Sequence, residues 1–183
     1  MTRVVYNTAA TLDGHIATPD NSLAWLFAVK SDSSPDIEGF MAGVGALVSG
    51  STTYEWVLNH EDLLANPSKW QEFYGERPYF VFTSRELPIP EGADVRLISG
   101  APADHLEAID EAAGGKTIWL YGGGELVGQF FDAGLLTEVQ VSIAPATLGT
   151  GAQLLPREIG PDRLHLESAE QFDQFAHLIY SVR

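Results

Sequence analysis

Short apolar runs bounded by Gly, Pro or Ser alternate with segments of helical period along most of this chain, and this alternation constrains the fold most. The runs are "RVVYNTAATL" from Arg3, "ALVSG" from Ala46, "PYFVFTS" from Pro78, "DVRLIS" from Asp94 and "KTIWLY" from Lys116. Runs of this kind, apolar on both faces, suit buried parallel strands. Between them lie helical segments: Pro35 to Val44, "STTYEWVLNH", "PADHLEAIDEAAGG" and "ELVGQFFDAG". In the third, Leu106, Ile109 and Ala113 share one face and glycines close the end. After "EVQVSIAPATLGTGAQLLP" come two alternating runs, "RLHLESAEQF" and "QFAHLIYSVR", which read as an antiparallel hairpin on the sheet edge. The pattern predicts an α/β fold: a central, mainly parallel sheet flanked by helices, with a C-terminal antiparallel hairpin.

The chain of 183 residues fits one domain spanning 1–183, and its 45% hydrophobic and 19% charged residues suit a globular core. It has no cysteine, and its five histidines lack metal-ligand spacing, so thiol chemistry is excluded and no metal site is expected. The start, Met1-Thr2-Arg3, leads straight into Val4-Val5-Tyr6 without a signal-peptide pattern, and no stretch reads as a membrane span. A soluble cytoplasmic protein is the expectation. A formal net charge of −15 disfavours nucleic acid and anionic membranes as partners. Anionic small ligands would need local help from basic groups or backbone N–H groups.

Three strand ends offer such help, and ligands of open α/β sheets bind beyond the carboxyl ends of strands. At "GSTTYE" (Gly50 to Glu55), hydroxyls and helix N–H groups suit an anion, while Thr52 and Glu55 also have capping-box spacing; both readings can hold together. Thr83-Ser84-Arg85 places two hydroxyls and a guanidinium after "YFVF", where Arg85 is either a phosphate ligand or a solvated surface group. Gly122-Gly123-Gly124 stands between "TIWLY" and a helix; it lacks the GxGxxG spacing of dinucleotide-binding βαβ units.

In order and spacing these segments resemble the dihydrofolate reductase-like reductases, and among them the reductase domain of the bifunctional deaminase-reductase of riboflavin biosynthesis. The residues that carry the resemblance are "ATLDGHIA", "ALVSGSTTYEWV", "PYFVFTS", "IWLYGGGELVGQFFDAGLLTEVQVSIAP" and "LGTGAQLLP". The resemblance implies a hydride-transferring enzyme with a nicotinamide cofactor, usually NADPH with NADH possible, a small-molecule heterocyclic or carbonyl substrate, and a homodimer. By position it implies Thr52 and Thr53 at the cofactor phosphates and Thr83, Ser84 and Arg85 at the adenosine and 2′-phosphate. It implies Gly123, Gly124, Glu125 and Leu126 as the glycine-loop contact, with Asp13 beside the nicotinamide and substrate. Two positions depart from the pattern. Ser51 stands where an arginine is usual, leaving Arg85 to select NADPH, and Gly45 stands where an aspartate is frequent.

A reductase of this type also needs a proton source and a site for a flat ring. Asp13 is a candidate catalytic acid in a Gly14-containing loop, or else a turn residue. Asp36, four residues before Phe40, is a rival candidate at the substrate, or else a helix N-terminal acid. Trp25 and Tyr54, with Phe27, are candidates to stack a substrate ring, or else packing residues. His15, in the same loop as Asp13, is either a donor or exposed. A protein that binds the dinucleotide without catalysis is the alternative function, distinguished by consumption of NADPH.

Overall fold

The structure, a computed structural model, describes residues 2–183. Its strands are β1 (Val4–Thr11), β2 (His15–Ala17), β3 (Val44–Gly50), β4 (Tyr79–Phe82), β5 (Val95–Ile98), β6 (Thr117–Gly122), β7 (Glu138–Ala144), β8 (Ala152–Gln153), β9 (Leu164–Phe172) and β10 (Phe175–Val182). Its helices are α1 (Ala24–Phe27), α2 (Ile37–Ala42), α3 (Ser51–His60), α4 (Ser68–Tyr74), α5 (Pro102–Ala113) and α6 (Gly124–Asp132). Eight strands form one sheet in the order β5-β4-β3-β6-β1-β7-β10-β9. The first six are parallel, and β10 and β9 close the sheet as an antiparallel pair. The α/β sheet and its terminal hairpin are as the sequence pattern predicts. The pattern did not reveal α4, the short α1, or the two-stranded sheet β2-β8.

The two faces of the sheet bury two cores, which is why the central strands are apolar at consecutive positions. On the first face Val4, Tyr6, Val48, Ile118 and Leu120 pack against Ile109 of α5 and Val127 and Phe130 of α6. On the second, Leu47, Tyr79 and Val81 pack against Tyr54 and Val57 of α3 and Trp70 and Tyr74 of α4. α5 begins on Pro102, where a missing N–H removes no helical bond, and ends at Gly114 in the left-handed conformation.

Gly45 has a packing reason. A Cβ built there would run into the carbonyl oxygen of Ala113 and lie 2.8 Å from its carbon, because the end of α5 lies directly on β3. Gly45→Ala is therefore expected to cost about 1–3 kcal/mol through overpacking. At about 2–4 °C per kcal/mol for a chain of this size, thermal unfolding should show a fall of several degrees. An unchanged midpoint would mean that α5 does not seat on β3 as closely as this.

The sheet opens at its centre. β1 pairs with β6 only from Val4↔Ile118 to Tyr6↔Leu120. β1 then continues along β7 as far as Thr11↔Ala144, while β6 stays with β3 to Ser49↔Gly122. The neighbouring strands β1 and β6 thus part at their carboxyl ends, where parallel sheets form ligand crevices.

Candidate active site

A cavity of about 830 Å³ lies at the carboxyl ends of the parallel strands, at this parting. Two helices begin at its wall. α3 starts at Ser51 behind an extended Gly50 (φ −80°, ψ 165°), and α6 starts at Gly124 behind an extended Gly123 (φ −89°, ψ 174°). Neither start has a side-chain cap. Each helix therefore turns free N–H groups and the positive end of its dipole toward the cavity. The capping box expected from Thr52 and Glu55 does not form: the N-cap is Gly50, two residues earlier, which puts Glu55 two residues past the capping position, where it pairs with Arg85.

The glycines have separable reasons. A Cβ at Gly124 would strike the carbonyl oxygen of Gln153 and lie 2.6 Å from that of Leu154, so this glycine lets α6 seat against β8. A Cβ at Gly123 would meet only the Thr53 hydroxyl, at 3.9 Å. Gly123 is thus open toward the cavity, and its absence of side chain leaves room for a ligand.

The wall includes Thr52, Thr53, Thr83, Ser84, Gly123, Gly124, Glu125 and Leu126, so the structure gathers eight of the nine residues implied for the cofactor. Arg85 is the exception. It is exposed and forms two hydrogen bonds to Glu55, at 3.1 and 2.5 Å, and it is not part of the wall. The wall also holds residues that sequence reasoning missed: Thr8 of β1, Trp56 of α3, Ser99 and Gly100 after β5, Tyr121 of β6 and the Gly151–Gln153 strip. The position of Trp56, three residues beyond Thr53 and four beyond Thr52, was the available signal, since such residues share one face of a helix. The strip is brought there by β2-β8 pairing, which no local pattern announces. The one wall carboxylate, Glu125, is held below the usual glutamate range by Arg157, which donates to both its oxygens (3.0 and 2.8 Å) and to Asp132 (2.7 Å).

The substrate candidates lie elsewhere. Tyr54 is fully buried beneath α3, and its hydroxyl donates to Pro88 O at 2.8 Å. Its helical position turns it into the second core, so it packs rather than meeting a ring. Trp25 sits in α1 and is not part of the wall. Asp36 caps α2, accepting from Gly39 N at 2.8 Å. Asp13 lies outside the wall as well. Its carboxylate accepts from the Thr11 hydroxyl (2.6 Å), Gly149 N (2.7 Å) and Leu148 N (3.1 and 3.2 Å). The Thr11 and Gly149 bonds foremost hold it well below the usual carboxylate range. It is an acceptor that ties two loops together. His15 Nδ1 lies 3.4 Å from the same carboxylate.

Against families of known proteins, the RibD C-terminal domain matches residues 2–178. The chain belongs to this family. RibD C-terminal domains are reductase domains that depend on nicotinamide cofactors. The chain is 28% identical over 178 residues to the uncharacterized protein YwjB of Bacillus subtilis (strain 168), with 97% of each covered. Among solved structures it is similar to a putative riboflavin biosynthesis protein from Shewanella sp. PV-4, with TM-score 0.78 and 24% identity over 100% of this chain and 99% of that one. It also resembles a diaminohydroxyphosphoribosylaminopyrimidine deaminase/5-amino-6-(5-phosphoribosylamino)uracil reductase from Thermotoga maritima, with TM-score 0.65 and 14% identity. That alignment covers all of this chain and 57% of the other. Among the described residues of this RibD C-terminal domain no helix is long and apolar enough to cross a membrane, and no cluster of three or more acidic or histidine side chains could hold a metal.

Proposed function

We propose that this RibD C-terminal domain reduces a small molecule with a nicotinamide dinucleotide bound in the first cavity. The observation that carries the reading is the convergence of two uncapped helix N-termini, α3 and α6, on one cavity. Such ends bind phosphates without a basic side chain, which suits a wall in which Glu125 is the one charged residue. The pyrophosphate would lie against Gly50–Thr53 and Gly123–Leu126, the adenosine toward Thr83, Ser84 and Gly100, and the nicotinamide toward Thr8, Ala17 and Tyr121. When bound, the dinucleotide supplies the hydride. The chain's part is to position it and to shield it from water with apolar and aromatic walls. Burial pushes the Tyr121 hydroxyl up, so it stays protonated and can donate a hydrogen bond.

Titration with NADPH and with NADH, followed by Trp56 fluorescence and then by cofactor oxidation against pterins, pyrimidinediones and carbonyl compounds, tests the reading. Failure of both dinucleotides to bind would end it. Binding without turnover of any compound would favour a non-catalytic nucleotide-binding role.

NADPH is the proposed preference, with Arg85 as the partner of the 2′-phosphate once it leaves Glu55. Exposed pairs of this kind are weak. Glu55→Gln should therefore raise NADPH affinity roughly twofold to fivefold and leave NADH unchanged. Equal changes for the two would remove Arg85 from cofactor selection. A homodimer is proposed for the assembly, through the outer strand β9, whose Leu166 is exposed and whose free edge can pair. Sedimentation at micromolar concentration should give twice the 19.8 kDa chain mass; a single species at the chain mass would reject it.

A further inference from the structure

A second cavity, of about 410 Å³, lies on the other face of the sheet. Its wall is mostly apolar, with Ala9, Leu26, Pro35, Ile37 and Phe175, and carries the Ser142 hydroxyl from β7. Ala9 follows Thr8 of the first wall, and consecutive strand residues face opposite sides of a sheet. Both belong to the part of β1 that has left β6. Tyr121 packs with Tyr74 and Tyr79 on the second face and still walls the first cavity. The first cavity therefore reaches the opening between β1 and β6, and the second lies on the other side of the same stretch of β1, against β7.

The two cavities differ in their helix ends. At the first, two helix N-termini stand open. At the second the one helix start, that of α2, is already filled by the Asp36 carboxylate on Gly39 N. Asp32 is in the wall, and its N–H donates to the Asp173 carboxylate at 3.1 Å. Asp32 is thus the wall's one charged residue, and the carboxylates of Asp36 and Asp173 lie outside the wall, each accepting a backbone N–H. The guanidinium groups of Arg3, Arg77, Arg85, Arg96, Arg157 and Arg163 are all hydrogen-bonded to carboxylates or backbone carbonyls outside it. Lys30, next along the chain to Ser31, is exposed and walls neither cavity.

We infer that the second cavity holds the ring of the substrate and that this substrate is an uncharged ring compound without a phosphate, its polar edge met by Ser142. The inference rests on the reductase reading of the first cavity. Ser142 Oγ shares a 3.0 Å hydrogen bond with Nδ1 of buried His177, which fixes the hydroxyl in place. Burial lowers the His177 pKa, against a smaller opposite effect of Glu170, so the pair adds no cation to offset the carboxylate. A phosphorylated sugar, as in the substrate named for the Thermotoga maritima protein, would meet the Asp32 carboxylate with no cation and no open helix N-terminus in the wall to balance it.

The test uses protein saturated with NADPH, so that phosphate groups cannot occupy the first cavity. Lumazine, uridine and uridine 5′-monophosphate are titrated while the backbone amides of Ser142 and Phe175 are followed by NMR. Lumazine and uridine should shift these amides, and uridine 5′-monophosphate should bind at least about tenfold more weakly than uridine. Asp32→Asn should narrow that gap, and Ser142→Ala should weaken lumazine binding. Equal or tighter binding of the monophosphate overturns the inference, as does silence of both amides toward every compound. NADPH binding is measured separately at Trp56. If it persists while the amides stay silent, this inference falls alone; if NADPH does not bind, the reductase reading falls with it.

Discussion

Gly123→Val should weaken dinucleotide binding at least about tenfold while the protein stays folded. Gly123 has φ −89°, a conformation that any residue adopts, and a Cβ there meets nothing closer than the Thr53 hydroxyl at 3.9 Å. The added methyl groups therefore enter the space between the starts of α3 and α6, where the pyrophosphate is placed. A clash of overpacking size, about 1–3 kcal/mol, corresponds to roughly a tenfold to hundredfold loss in affinity, with more if the valine also blocks the N–H groups. Isothermal titration with NADPH gives the loss, and thermal unfolding gives the control. Gly124→Val is the contrasting variant. Its side chain would meet the backbone of Gln153 and Leu154, so it should unfold the protein at markedly lower temperature. A Gly123→Val protein that is stable and binds NADPH like the parent would move the pyrophosphate away from this loop.

Asp13→Asn should loosen the active-site loops. An asparagine keeps one acceptor oxygen and turns an NH₂ group toward donors that the carboxylate now receives from Thr11, Leu148 and Gly149. The two loops flank β2 and β8, and Ala17 and Gly151–Gln153 of those strands wall the first cavity. Cofactor affinity should fall by about tenfold, and the unfolding midpoint should drop with it. A purely catalytic Asp13 would instead give a variant of unchanged stability and lost turnover. The pH dependence separates these ideas. The folded-state pKa of Asp13 is depressed, so its contribution is present above the ordinary value of 3.8 and is lost as pH falls below it. The parent should therefore lose more stability than Asp13→Asn on acidification from pH 5 toward pH 2. Parallel acid limbs, with full cofactor affinity in the variant, would return Asp13 to the substrate.

Much of the fold was legible because its signals are local. Val4-Val5-Tyr6 and Leu47-Val48 are apolar at consecutive positions, as strands covered on both faces must be. The alternation of "QFAHLIYSVR" announced a strand with unequal faces. α4 was not legible: "SKWQEFY" has seven residues, and its Trp70 and Tyr74 become a core face only when Tyr79 and Tyr54 are brought against them.

The candidate site divides in the same way. Sequence by itself determined the phosphate-suited strand ends, since glycine and hydroxyl residues where a strand meets a helix carry their chemistry with them. Thr52, Thr53, Thr83, Ser84, Gly123 and Gly124 all reach one wall. Only tertiary structure decided what the long polar side chains do. Arg85 has Glu55, thirty residues away in sequence, as its partner, and Asp13 has Leu148 and Gly149, more than a hundred residues away. A glycine's role is set by backbone space at its own position. A charged group's role is set by whichever opposite charge or N–H donor the fold brings within about 3 Å, and that neighbour is not written beside it in the chain.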